Sequence, residues 1–285
     1  MSVNEISAVR KLAGGVKINL PADGGGLKKL ACWLLNGLEK YIIILVIILV
    51  WELFPRMEII DTFLLPPFSE VMVSWGQLIT SGEMFRHFFI SMFRISCGFF
   101  IGIGIALPLG VFMGWYKGFE EVVDPLLQAC RSSSAIALYP VFLLFFGIGE
   151  QAKIAIIIWG TIWSTLLSTI SGVKNSDPLL IKSAQSMGVS GLSLLYKVVV
   201  PNSVPNMVTG IRLSAAHSLL IVVVAEMIGA HAGLGFSIFN FEEHYAVPEM
   251  YAMIITLSLF GVFVNYVLGR LEKRLTVWKE KIVTE

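Results

Sequence analysis

Long uncharged apolar runs, separated by short polar stretches, recur along this chain from Tyr41 to Gly269. A helix rises about 1.5 Å per residue and needs about 20 apolar residues to cross a hydrocarbon core. Six segments meet or approach that length. The first is Tyr41–Phe54, extended backward through Ala31–Leu38. The others are Ile95–Tyr116, Ser132–Gly149, Ile154–Val173, Leu213–Ile228 and Met250–Gly269. The pattern predicts an all-α, polytopic membrane protein with six transmembrane helices. The second run carries Gly98, Gly102, Gly110 and Gly114, two pairs at GxxxG spacing, with Gly104 between them. Small residues on one face let helix backbones approach closely in lipid, so this helix is expected to pack tightly. Pro108 inside it predicts a kink.

The largest polar break runs from Lys174 to Met207. Asp177-Pro178 reads as a helix start, with Asp as cap and Pro at the first helical position. Gly188 reads as a left-handed stop. Ser190 then caps a second short helix that Pro201 and Pro205 end. The prediction is an amphipathic pair of helices around a glycine elbow at the inner membrane surface, with Ser183 and Ala184 small enough to admit a partner's groove. In an earlier break, Pro66-Pro67-Phe68-Ser69-Glu70 reads as a stop followed by a helix capped by Ser69. Val71, Trp75 and Leu78 recur at helical spacing and place that helix on the membrane surface.

Composition agrees with a membrane location. Only 14% of the residues are charged, against about 25% in soluble domains. A net charge of +1 provides no basic field for nucleic acid. Cys32, Cys97 and Cys130 are scattered, with no CxxC, and read as apolar filler. The first residues lack an apolar core and a cleavage site, so they do not read as a signal peptide. Both flanks of the span region are basic, from Arg10 to Lys40 and from Arg270 to Lys281. An even number of spans then puts both termini in the cytoplasm. The expected organisation is a flexible cytoplasmic tail over 1–30, a first span over 31–55, a periplasmic loop with its surface helix over 56–87, a core over 88–272 containing the polar loop 174–206, and a cytoplasmic tail over 273–285.

Charged and hydroxyl side chains inside spans are the candidate chemistry, because they are costly in lipid and face the bundle or water. Arg131 reads either as a cation for an anionic substrate or as a side chain snorkelling to headgroups. Ser132, Ser133 and Ser134 can hydrogen-bond an oxyanion or pack between helices. Glu226 reads as a structural partner or gate, and His217 as a packed residue or a pathway residue. Phe145, Phe146 and Trp159 read as packing. His87, His217, His231 and His244 share no metal-ligand spacing, and no catalytic set is visible. No GxxxxGK[ST] loop is present, so this chain is not expected to hydrolyse ATP alone.

The polar loop, from Lys182-Ser183-Ala184-Gln185 through Met187-Gly188 to Val198 and Pro201, resembles the EAA loop of ABC-transporter permeases. Gly188 and Pro201 hold the family's spacing, Ala184 matches its second alanine, and Val198 and Val200 stand at its aliphatic positions. Lys182 and Ser183 replace the usual Glu and Ala. Leu65-Pro66-Pro67-Phe68-Ser69-Glu70-Val71, Phe145-Phe146-Gly147-Ile148-Gly149, Ala225-Glu226-Met227-Ile228-Gly229-Ala230 and Gly233-Leu234-Gly235 resemble the nitrate/sulfonate/taurine branch. The tail Arg274-Leu275-Thr276 followed by Trp278 is similar to taurine permeases. The branch's prolines after Arg131 are replaced here by Ser132-Ser133-Ser134-Ala135. The resemblance implies the transmembrane fold of a type I ABC importer and a permease subunit for a small anion, with a sulfonate such as taurine favoured. It implies a second permease copy, a cytoplasmic ATPase dimer that binds the ATP and Mg²⁺, and a periplasmic or lipid-anchored binding protein. The alternatives are nitrate, bicarbonate, an aromatic acid or a vitamin precursor as cargo, or an autonomous carrier or channel.

Overall fold

The computed structural model describes residues 42–275. The whole of the expected N-terminal tail, the start of the first expected span and the end of the expected C-terminal tail lie outside them. Contacts divide the chain into two units, Met1–Leu53 and Phe54–Glu285. Residues 42–56 are helical, α1. In the second unit follow α2 (Phe68–Thr80), α3 (Glu83–Trp115), α4 (Lys117–Ser132), α5 (Ala135–Phe146), α6 (Glu150–Lys174) and α7 (Pro178–Ser186). After them come α8 (Gly191–Leu194), a π-helical turn (Leu195–Val199), α9 (Val200–Met227), α10 (Leu234–Glu243) and α11 (Val247–Leu275). The described residues contain no strand. Among the described residues four continuous helices are long and apolar enough to span a membrane: α3, α6, the run from α8 through α9, and α11. The pair α4 and α5 qualifies jointly, with a 95° bend at its break.

The glycine stripe explains how α3 and α6 meet. A Cβ added at Gly98 would fall on Ile157, and one at Gly102 on Thr161. At Gly110 it would lie 2.7 Å from Thr169 Cβ, and at Gly114 2.7 Å from Val173 Cβ. Both numbers rise together, by four or by eight, so α3 and α6 run parallel with their backbones nearly touching. Ala106, fully buried, continues the stripe. Two parallel spans require the chain between them to return across the bundle. The bent pair α4 and α5, which the sequence places as the third span, is therefore the crossing between them. Replacing Gly110 by leucine is expected to pry the two helices apart. Overpacking of this kind costs about 1–3 kcal/mol or more, and a lowered thermal unfolding midpoint of the purified protein is the readout.

α6 and α9 pack antiparallel through small and hydroxylated residues. Gly172 faces Ser203 and Asn206, Gly210 faces Ser168, and Gly160 faces Ile221. Thr165 Oγ1 and Ser214 Oγ are 2.7 Å apart, and Ser214 Oγ donates to Thr161 O at 2.6 Å. These buried hydroxyls have partners, as buried polar groups must in a medium without water. α11 returns antiparallel to α9, with Arg212 Nε donating to Asn265 Oδ1 at 2.9 Å.

Four sequence expectations are corrected. The third span does not run straight from Ser132 to Gly149. Ser133 is extended, and Ser134 caps α5, its Oγ accepting from Ala137 N at 3.5 Å. Lys117–Asp124, a connecting loop between the second and third spans as the sequence places them, is the first half of α4. Pro201 and Pro205 do not end the helix begun at Ser190 and lie inside the first turns of α9. The π-helical turn before Pro201 widens the ladder where the prolyl ring and its missing N–H would otherwise conflict with the carbonyl below. Ser69 is not the cap of α2. Pro67 takes that position, and Ser69 Oγ accepts from Arg56 Nη2 at 3.1 Å.

The apolar face of α2 is also turned inward. Val71 and Leu78 are buried, and Trp75 Nε1 donates to Thr256 Oγ1 of α11 at 2.9 Å.

Candidate functional site

Three arrangements carry the chemistry, ordered along the bundle from the end where α6 finishes and α9 begins. The first is α7 and the segment after it. Asp177 Oδ1 accepts from Leu179 N at 2.8 Å, so the cap expected from the sequence is formed. The helix closes in a Schellman arrangement, with Gly188 N donating to Gln185 O at 2.9 Å and Val189 N to Ala184 O at 3.1 Å. Gly188 sits at φ +83°, the left-handed region that glycine enters without steric cost.

Ala184 is buried, and Ile181 packs against the core of Val173, Leu195, Val199 and Met207. These two hold α7 down. The opposite face is open: Lys182, Ser183, Gln185, Met187 and Gly188 are all exposed, as is Pro201, while Val198 is half-buried. Leu179, Met187, Leu192 and Tyr196 extend this face as exposed large apolar groups. Ser190 occupies the cap position of α8, but its side chain makes no cap hydrogen bond. An exposed apolar patch on a polar loop has the make-up of a protein contact surface.

The second arrangement is a cavity of about 430 Å³ beside the break between α4 and α5. Arg131, in the last turn of α4, lines it with Ser133 and Ser134. Trp159, Trp163 and Ser164 of α6 and His217 of α9 line the other walls. Ser164 Oγ and His217 Nδ1 are 2.9 Å apart. The two indoles meet edge to face with centroids 5.0 Å apart, and both Nε1 atoms are buried without a protein partner. A guanidinium and hydroxyls beside an apolar wall form an environment for an oxyanion.

Arg131, Ser133, Ser134 and His217, singled out separately from the sequence, thus converge. Ser132 does not line the cavity, and its Oγ donates back to Ala129 O at 2.8 Å. Ser164, Trp159 and Trp163 were not legible as partners, because α6 presents them at mid-helix among ordinary apolar residues. Phe145, at 82% exposure, and Phe146 are not interior packing residues.

The third arrangement lies at the opposite end, where α6 begins and α9 ends. Arg94 Nη1 donates to Glu226 Oε1 at 2.7 Å and to Ala232 O at 2.6 Å. Arg94 Nε and Nη2 donate to the two oxygens of Glu150, each at 2.6 Å. Lys153 Nζ reaches Glu150 Oε1 at 3.2 Å. Arg94 is 2% exposed and Glu226 fully buried. Glu226 also accepts from Ser91 Oγ at 2.8 Å and Gly235 N at 2.9 Å. Two cations and two carboxylates balance, and nearly every hydrogen-bonding site is used, as a buried ionic group requires.

The glycines of the Gly233-Leu234-Gly235 motif now have a cause. A Cβ at Gly233, whose φ is +132°, would overlap the Glu226 carboxylate, and one at Gly235 would overlap Val223 O. Glu226 is therefore a structural clamp on α10, and Arg94 is the partner missing from the sequence reading. Its signal was present: one arginine and one glutamate, each alone in an apolar run.

Among the described residues, no group of His, Cys, Asp and Glu is placed to hold a metal ion. Four continuous apolar helices among the described residues, with a polar helix seated at one end, are the make-up of a polytopic membrane protein.

Residues 106–277 match the family described as the binding-protein-dependent transport system inner membrane component, and the chain belongs to that family. It is 31% identical over 234 residues to the aliphatic sulfonates transport permease protein SsuC of Bacillus subtilis (strain 168), covering 82% of this chain and 85% of that one. It is 28% identical to the taurine transport system permease protein TauC of Escherichia coli (strain K12), covering 83% and 88%. It is 29% identical to the formylaminopyrimidine transport permease protein ThiX of Halalkalibacterium halodurans, covering 86% and 98%. The fold matches the inward-facing MetNI methionine ABC transporter with a TM-score of 0.61 at 18% identity, covering 69% of this chain and 98% of that chain. An amino acid ABC transporter solved with histidines matches with a TM-score of 0.58 at 17% identity, covering 71% and 96%. The protein is thus a multi-pass inner-membrane permease of the sulfonate/taurine/nitrate ABC importer family, with the type I importer fold.

Proposed function

We propose that this chain forms the membrane pathway of an ATP-driven importer for a small organic anion, with a sulfonate as the favoured cargo. One observation carries the anion reading: Arg131, Ser133, Ser134 and His217 face a single cavity at the break in the third crossing. The relatives named for aliphatic sulfonates and taurine support the choice of sulfonate.

In this reading a second copy of the chain completes the pore, and a binding protein delivers the anion to the end that carries Arg94 and Glu226. Both termini face the cytoplasm. An ATPase dimer, which binds ATP and Mg²⁺, docks on the open face of α7 and α8. Lys182, Ser183, Gln185 and Met187 meet the ATPase. Gly188, Val198 and Pro201 set the shape of the segment, and Ala184 seats it. ATPase closure then moves α7, and α6, which precedes it directly, and α9, joined to it through α8 and the π-helical turn, carry the motion to the cavity. ThiX supports a second reading in which the cargo is a pyrimidine-like vitamin precursor, but a neutral ring would have little use for Arg131.

The test is ATPase activity of the complex in lipid nanodiscs, with and without the neighbouring binding protein, against sulfonates, nitrate, bicarbonate and vitamin precursors. Stimulation by a sulfonate only in the presence of its binding protein is expected; stimulation by a neutral precursor alone would replace the anion reading. Arg131→Gln is expected to lower substrate uptake roughly tenfold to hundredfold, the worth of a charge-assisted hydrogen bond at about 1.5–3 kcal/mol. ATPase co-purification should be unchanged. Uptake equal to wild type would remove Arg131 from the pathway.

A further inference from the structure

At the end of the bundle that carries α7, helices α9 and α11 leave a groove of about 1020 Å³. Arg212 enters it from α9, and Arg270, Lys273 and Arg274 from the last turns of α11. Among the described residues Glu272 is the only carboxylate that lines it, and it is engaged by Arg212 Nη1 at 3.0 Å. Four cations against one carboxylate leave an excess of three positive charges from the described residues of the groove wall. The Arg270 guanidinium lies 4.7 Å over the ring of Tyr266, which fixes it at the groove mouth.

The surface leading into this groove is apolar. Leu259, Val262, Phe263 and Tyr266 are all more than half exposed, and they form a stripe at three- and four-residue spacing along α11. This helix is one of the four apolar enough to span the membrane. A hydrocarbon-facing stripe that ends in an unneutralised cationic groove matches an amphiphile with an anionic head. A free anion would use the groove and leave the stripe without a role. Basic pockets between spans on the cytoplasmic side are suited to lipid phosphate.

We propose that the groove between α9 and α11 is a binding site for the headgroup of an anionic phospholipid, with an acyl chain lying along the Leu259–Tyr266 stripe. Bound there, the lipid bridges Arg212 on α9 to the end of α11. It thereby braces the helix that continues from the π-helical turn. The site is independent of the transported cargo.

The full-length protein is reconstituted in nanodiscs containing equal amounts of phosphatidylglycerol and phosphatidylcholine with matched acyl chains. Lipids retained on extraction are then counted by native mass spectrometry. Phosphatidylglycerol retention roughly tenfold above phosphatidylcholine is expected, given three uncompensated charges. The variant R270Q/K273Q/R274Q should bring the ratio close to one, while K117Q should leave it unchanged. Equal retention of the two lipids by wild type would overturn the proposal. So would displacement by inorganic phosphate, which would mark a free-anion site, or loss of retention when the ATPase is bound, which would mark a protein contact. A photoactivatable phosphatidylglycerol on the wild-type protein provides a check that needs no variant. Crosslinks within residues 259–274 support the site, and crosslinks confined to other helices exclude it.

Discussion

Replacing Arg94 by alanine is expected to leave little folded protein. The guanidinium holds Glu226, Glu150 and the carbonyl of Ala232 together, and it is itself almost fully buried. Removing one partner of a buried ion pair costs about 3–5 kcal/mol, because the abandoned carboxylate stays in a medium that cannot solvate it. Native proteins have a margin of about 5–15 kcal/mol, so this single change consumes a large part of it. Glu226→Gln keeps the shape and one oxygen that can accept from Ser91 and Gly235, loses the acceptor for Arg94, and leaves no unpaired buried carboxylate, so it should be less damaging. The measurement is the yield of monodisperse protein together with its thermal unfolding midpoint. An Arg94→Ala variant with an unchanged midpoint would show that the cluster does not hold this end of the bundle.

Deleting Lys182–Gly188 is expected to abolish association with the ATPase while leaving the spans in the membrane. The deletion removes the open face of α7 and the left-handed residue that turns the chain toward α8. Gly188→Leu is a finer version of the same test. A branched side chain in that conformation costs about 1–2 kcal/mol, so the elbow should open and the exposed faces of α7 and α8 should lose their common plane. Co-purification of a tagged ATPase should fall severalfold for the substitution and to background for the deletion. Undiminished co-purification with the deletion would move the docking surface elsewhere and revive an autonomous carrier.

These two regions differ in how far the sequence revealed them. The α7 segment is governed by neighbours in the chain. Asp177, Pro178 and Gly188 each act within a few residues, and their cap, first-turn and stop roles are all realised. Apolar runs likewise located the continuous spans, because hydrocarbon thickness sets one length for all of them. The third crossing was misread because its break depends on hydroxyls folding back on Ala129 and on Ser134 capping α5, which a hydropathy average cannot register.

The charged cluster was half visible. Glu226 stood out, but its partner Arg94 lies 132 residues earlier at the edge of a run. Nothing local connects the two until α3 and α9 are assembled. Proline caused the opposite error at Pro201, where a strong local rule was overridden by the wider turn before it.

The parallel contact between α3 and α6 has one further consequence. Gly98, Gly102, Ala106, Gly110 and Gly114 step by four, and Ile157, Thr161, Thr169 and Val173 opposite them are spaced by four or eight. Shifted by one helical turn, most glycines would again face a β-branched side chain, so this surface works like a toothed rack with several nearly equivalent settings. Van der Waals fit alone therefore does not choose among them. The choice is made where the pattern stops repeating, at Arg94 on one helix and Glu150 on the other, whose double hydrogen bond closes at a single setting. This contact between the buried Arg94 and the half-exposed Glu150 acts as an indexing pin that specifies which alignment of the two spans is the native one.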